Sequence, residues 1–215
     1  MPVVTEARPV IDRPDVTVAV VEEVFTRDTE SQLAAAAAVV RHWRSTGWPP
    51  GLVAQSLFVS TDGRSLLTYA QWSSAGEPAG GRFDWLAVGI EPGTPKAYEI
   101  HRVVRPAVLP DPLPLAQCFP AAVFTMPGKQ AAREWIDGLL DNEEQNEGAD
   151  RAYPGALAAN FHVAEDGIFL LSEWASEAEA VEHIKDVIVP LLEYMGQAEA
   201  GAGRRYSFHT TVAAA

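Results

Sequence analysis

Residues 49–63 read PPGLVAQSLFVSTDG, and residues 154–167 read PGALAANFHVAEDG. Pro50-Gly51 matches Pro154-Gly155, and Asp62-Gly63 matches Asp166-Gly167, both at an offset of 104 positions. An apolar run closing on tryptophan follows each Asp-Gly, RSLLTYAQW to Trp72 and IFLLSEW to Trp174. A third landmark comes later in each half: Tyr98-x-x-His101 in AYEIHRVV, and Tyr206-x-x-His209 in RYSFHTTV. Three landmarks in one order identify an internal duplication.

Each copy has the same coarse reading. Copy one opens with the apolar run VTVAVVEEVF (16–25). An Ala-rich helix follows to about Arg44, with Thr29 and Gln32 fitting a capping box. Two strands then flank the Asp-Gly turn, a preferred two-residue hairpin signal. Copy two runs from the strand CFPAAVFTM through the helix KQAAREWIDGLLDNEE to the hairpin 156–174. Its second helix is capped by Ser176 with Glu179 and is expected to stop at Pro190. The Tyr206 strand closes the copy. The order βαββαβ is the ferredoxin-like unit, an α+β fold. In copy one the second helix position holds SSAGEPAGGRFDWLAVGIEPGTPK, too rich in Gly and Pro for a long helix.

The expected division is a flexible N-terminal arm (1–15), a first ferredoxin-like unit (16–104), a stiff Pro-rich linker (105–117) and a second unit (118–212). A sheet with helices on one side must bury its other face. The two units are therefore expected to pack sheet to sheet within one chain, with further homodimerisation left open.

A net charge of −13 repels phosphate backbones and anionic membranes, so neither nucleic acid nor a membrane is an expected partner. The single cysteine, Cys118, rules out an internal disulfide and sits where a buried strand begins. No apolar stretch reaches bilayer-spanning length, and the N-terminus lacks the order of a signal peptide. A cytoplasmic protein is the expectation.

No His, Cys and carboxylate cluster has metal-ligand spacing, so no metal site is expected. Neither a Gly-x-Gly-x-x-Gly loop nor a P-loop is present, so no cofactor site is built in. If Asp166-Gly167 is the hairpin turn, His162 pairs Leu171 and Asn160 pairs Glu173. Asn160, His162 and Glu173 then share one sheet face, with Phe161, Ser172 and Trp174 on the other. Copy one has Ser56 and Phe58 in place of Asn160 and His162, which favours copy two as the working half.

His162, with an ordinary pKa of about 6.5, suits a general base for a phenolic or benzylic proton. Asn160 would hold a carbonyl or peroxide oxygen, and Trp174 would stack on a flat substrate. The competing reading makes His162 a hydrogen-bonded sheet residue. His183, on an amphipathic helix, points either into the same pocket or into solvent. Tyr98, Tyr206, His101 and His209 recur between the copies and suit a shared structural role, with Tyr206 kept as a substrate contact beside Trp72, Phe161 and Thr68. The acidic run DNEEQNEGAD (141–150) reads as a solvated helix end and loop.

The stretch PPGLVAQSLFVSTDGRSLLTYAQW closely resembles the core of the antibiotic-biosynthesis monooxygenase superfamily, its STDG…YAQW ending most specifically. LLSEWASEAEAVEHIKD is similar to the superfamily's usual run, with Glu173-Trp174 closing a strand and His183 on the next helix. The resemblance covers both halves. It implies a dimeric α/β-barrel and oxygenation of planar polycyclic phenols or quinones by O₂, frequently without metal or haem. The quinone-forming members carry an Asn four residues before the Trp, supporting catalysis with it. Thr68 and Leu170 stand there in this chain, which counts against cofactor-free anthrone oxidation. A related branch, which includes angucycline ring opening, cleaves C–C bonds with reduced flavin. That branch implies reduced FMN or FAD as a co-substrate and a flavin reductase as a partner. The leading expectation is an oxygenase acting on an aromatic polyketide in antibiotic biosynthesis. Its rivals are a polyketide cyclase and a non-catalytic binding or assembly module.

Overall fold

The structure is a computed structural model describing residues 3–5, 9–73, 83–109, 111–147, 153–194 and 203–213. The chain separates into two compact units. The first is Met1–Glu99 with Tyr206–Ala215, and the second is Ile100–Arg205.

The first unit holds β1 (Val3–Thr5), β2 (Val18–Phe25), α1 (Thr29–Ser45), β3 (Leu52–Ser60) and β4 (Ser65–Trp72). It also takes the start of β5 (Lys96–Val104) and most of β9 (Arg204–Ala213), in the antiparallel order β1-β9-β3-β4-β2-β5. The second unit holds the rest of β5, β6 (Phe119–Thr125), α2 (Lys129–Glu147), β7 (Ala156–Ala164), β8 (Gly167–Trp174), α3 (Glu177–His183) and α4 (Val189–Tyr194), with strands ordered β5-β7-β8-β6.

The duplication is visible in register. Phe58 pairs Leu67, Ser56 pairs Tyr69 and Ala54 pairs Gln71 in the first hairpin; His162 pairs Phe169, Asn160 pairs Leu171 and Ala158 pairs Glu173 in the second. Both registers slip by one residue at the same place, Leu52/Ala54 and Ala156/Ala158. Gly51 (φ 83°) and Gly155 (φ 75°) lead in with left-handed backbone, which favours glycine. The two Asp-Gly pairs, by contrast, are not equivalent. Gly63 is a left-handed turn residue (φ 74°) in the loop 61–64, whereas Gly167 pairs Ala164 inside β8, and Glu165 and Asp166 make the turn. The expected register is thus corrected by two positions. Side-chain parity survives, so Asn160, His162 and Glu173 do share a face.

Other expectations shift for local reasons. The cap of α1 is Asp28, whose carboxylate accepts from the Ser31 N–H at 2.8 Å while Ser31 Oγ accepts from the Asp28 N–H at 3.1 Å. Gln32 cannot serve as a cap partner, because its buried amide donates to the carbonyls of Ser60 (3.1 Å) and Ser65 (2.8 Å) and pins the first hairpin loop to the helix. Ser176 caps α3 as expected, its Oγ accepting from the Glu179 N–H at 3.3 Å and donating to the Glu179 carboxylate at 2.7 Å. Pro190 does not end the helix. Residues Ile184–Ile188 widen into a π turn, with the Val189 N–H bonded to Ile184 O, and α4 continues through Pro190. An α-helical proline ring would meet the carbonyl four residues back, and the wider turn relieves that clash.

Residues 1–15, expected as a flexible arm, are anchored where described. Val3–Thr5 pairs with Thr211–Ala213, and buried Ile11 accepts at its carbonyl from the Gln71 side chain at 2.9 Å. Described residues of 105–117 form no helix or strand, and α2 carries the acidic run to Glu147, with residues 148–150 outside the described set. No helix among the described residues is long and apolar enough to cross a membrane.

A Cβ at Gly63 would lie 2.1 Å from Thr29 Oγ1, whereas one at Gly138 on α2 meets nothing within 4 Å. Gly63→Ala is expected to destabilise the protein by about 1–3 kcal/mol, and Gly138→Ala to stabilise it by roughly 0.5–1 kcal/mol. Chemical denaturation of both variants checks the pair.

Candidate functional site

Alternation sorts the second hairpin into two functionally different faces. Phe161, Val163, Ile168 and Leu170 point toward α2, where they pack with Ala132, Ile136 and Leu140. The packing is incomplete. Between this face and the helices lies a cavity of about 370 Å³, within the range of small-molecule sites, roughly 300–1,000 Å³. Small residues of the sheet, among them Ala122, Ala159 and Ser172, leave the space, and Trp135 and Leu139 of α2 and Ile184 and Ile188 of the π turn bound it.

One end of the cavity is aromatic. The His183 ring lies 4.3 Å from that of Tyr153 at 60°, and 4.8 Å from that of Trp174 at 38°. Trp174 is held from both sides by backbone. Its N–H donates to Cys118 O at 2.9 Å, its carbonyl accepts from Gln117 at 2.8 Å, and Ala156 pairs it across the bulge. Cys118, Trp174 and Ala180 form a small buried cluster with Tyr153 and Ala156 packed against it. Burial raises the Cys118 thiol to about 11, so it stays protonated and serves as packing. At the other polar positions, Arg102 and Arg105 line the cavity, and the Ser172 hydroxyl donates to Pro120 O at 3.4 Å.

The trio Asn160, His162 and Glu173 lies on the opposite face of the same strands and does not line the cavity. All three are buried. Asn160 Nδ2 donates to Leu171 O at 2.9 Å and to the Glu173 carboxylate at 3.3 Å, while its Oδ1 is buried without a hydrogen bond among the described residues. His162 Nδ1 faces two carbonyls, Asn160 O at 3.0 Å and Phe169 O at 3.2 Å, so it carries the proton. Burial pulls the His162 pKa down to about 4, and the ring is neutral near pH 7. Of the expected site residues, Trp174, Phe161 and His183 meet in one cavity.

The remaining three belong to the first unit. Tyr206 is buried, and its hydroxyl donates to the Glu23 carboxylate and accepts from Ser65 Oγ at 3.3 Å. Thr68 Oγ1 donates to Glu22 O at 3.4 Å, and Trp72 is buried. The face that matches the cavity face is packed in this unit, where Trp43 of α1, Trp85 and Ile90 join Leu57 and Leu66 in one core. Sequence reasoning missed Tyr153, Arg102 and Arg105. Tyr153 directly precedes the Pro154-Gly155 landmark, and that adjacency was the available signal. Nothing in the arginines' spacing marked them. Among the described residues no group of three or more His, Cys, Asp or Glu is placed to hold a metal ion.

No protein-family model matches the chain, and no curated protein matches it. A crystal structure of an anthrone oxidase-like protein aligns over 99% of this chain and 97% of its own, with a TM-score of 0.66 at 16% identity. A monooxygenase-like protein from Listeria innocua aligns over 90% of this chain and 95% of its own, with a TM-score of 0.50 at 12% identity. At such identities the likeness is one of fold.

The His162 environment gives a pH signature. Its folded pKa of about 4 lies below the ordinary 6.5, so the unfolded chain binds its proton first. Stability is expected to fall as pH drops from 6.5 toward 4. His162→Phe, the residue that copy one carries as Phe58, is expected to flatten that part of the curve. Denaturant midpoints measured across this window provide the check.

Proposed function

We propose that the chain is an oxygenase acting on a polycyclic aromatic polyketide in antibiotic biosynthesis, with its site in the cavity of the second unit. The single observation that carries this is the aromatic end of that cavity, where Tyr153, Trp174 and His183 contact one another. A flat ring system stacks against such a wall, and an imidazole beside it is placed to take a phenolic or benzylic proton. His183 thereby replaces His162 as the proposed base, because His162 lies behind the sheet. The resulting carbanion or phenolate reduces O₂: a ring CH₂ becomes C=O, one oxygen atom enters the product and the other leaves as water. Leu170 occupies the cavity position where the quinone-forming relatives carry Asn, so this chain supplies polarity from His183 and Ser172 instead.

A cavity of about 370 Å³ suits a planar ligand. In the ring-opening variant of this reading, reduced FMN or FAD is a co-substrate alongside the aromatic, delivered by a flavin reductase. The reading assigns no resident metal or haem. Two ferredoxin-like units belong to the same proposal, as does a cytoplasmic location.

The test is oxygen uptake with a panel of anthrones and hydroxyquinones, alone and with reduced flavin, followed by ¹⁸O₂ labelling of any product. Labelled product is expected. His183→Ala and Trp174→Ala are each expected to lower turnover about 100-fold or more, while His162→Phe stays within about threefold. Unlabelled product would identify a cyclase, and full turnover in His183→Ala would remove the assigned base.

A further inference from the structure

The charge lining the cavity is one-sided. The protein carries 29 acidic residues against 16 Lys and Arg, yet among the described residues the ionised side chains of the cavity wall are Arg102 and Arg105, with no Asp or Glu. Both arginines come from the C-terminal end of β5 and the residue just beyond it. Arg102 is held in place from outside the wall: its Nη1 donates to Asp137 Oδ1 at 3.0 Å, and His101 Nε2 meets the same oxygen at 3.1 Å. Asp137 sits on α2, two residues from Trp135 and two from Leu139, which both line the cavity.

Resting on the reading of this cavity as the substrate site, we propose that its ligand is an acid, a planar aromatic bearing a carboxylate that Arg102 and Arg105 receive at the mouth. A guanidinium matches a carboxylate with two parallel N–H donors, and because both arginines are exposed at the rim the pairing is screened by salt. Asp137 then acts as a positioning residue. It offsets part of the Arg102 charge and fixes the guanidinium at the rim, so that the two arginines select for the acid group while the aromatic end selects for shape. The acid end of the ligand is an anchor and takes no part in the bond changes.

The probe is 1-hydroxy-2-naphthoate against its methyl ester, titrated into the full chain by calorimetry in the absence of any turnover. The acid is expected to bind at least about tenfold more tightly, a preference that weakens with added salt. Arg105→Gln is expected to shrink the preference, and the double variant Arg102→Gln/Arg105→Gln to erase it. Asp137→Asn keeps an acceptor for Arg102 and removes the charge that offsets it, so it is expected to enlarge the preference and to leave the unfolding midpoint close to that of the parent. Equal binding of acid and ester, or binding of neither, overturns the proposal. The oxygenase reading fails separately, if the acid binds with this preference and no aromatic acid supports oxygen uptake.

Discussion

A β-strand cannot send neighbouring side chains to the same side of its sheet, and the arrangement of the second unit follows from that constraint. In the β7–β8 hairpin it divides Asn160, His162 and Glu173 from Phe161, Leu170, Ser172 and Trp174. The first set is buried and locked in backbone and side-chain hydrogen bonds. The second set meets the helices and, where its members are small, leaves room for a ligand. The bulge at Leu157 breaks the alternation, so that Ala156, opposite Trp174, and Ala158 also line the end of the cavity.

The two halves put the same hairpin to different uses. Matching registers and matching bulges give each half an equivalent face. In the first, Trp85 and Ile90 come from the segment that replaces the second helix and complete a core with Trp43, Leu57 and Leu66. In the second, α3, the π turn and α4 run over the sheet at a distance that leaves a cavity. Aromatic packing fills in the first unit the space that stays open in the second.

Much of this was legible from residues alone, and the exceptions have physical causes. The repeat announced itself because Pro-Gly and Asp-Gly pairs and closing tryptophans serve backbone needs that survive divergence. The face shared by Asn160, His162 and Glu173 was correct although the turn was misplaced, because moving the turn from Asp166-Gly167 to Glu165-Asp166 changes pairing by an even step. Which face carries the cavity was not legible. That depends on how far helices stand from the sheet, a matter of packing among distant residues. Pro190 misled for a related reason: local chemistry says stop, and a wider turn five residues long allows the helix to continue.

The assignment of β9 has a temporal consequence. Residues 206–213 pair along β3, from Ser60 opposite Tyr206 to Ala54 opposite Ala213, so the first unit borrows a strand from more than 140 positions downstream. During synthesis from the N-terminus, the hairpin of residues 52–72 emerges early but keeps an unpaired strand edge until those last residues have been made. The half encoded first is therefore completed last. The ribosome must release the whole of the second unit before β3 finds its partner, and over that interval the exposed edge of β3 is the part of the nascent chain that a chaperone would have to shield.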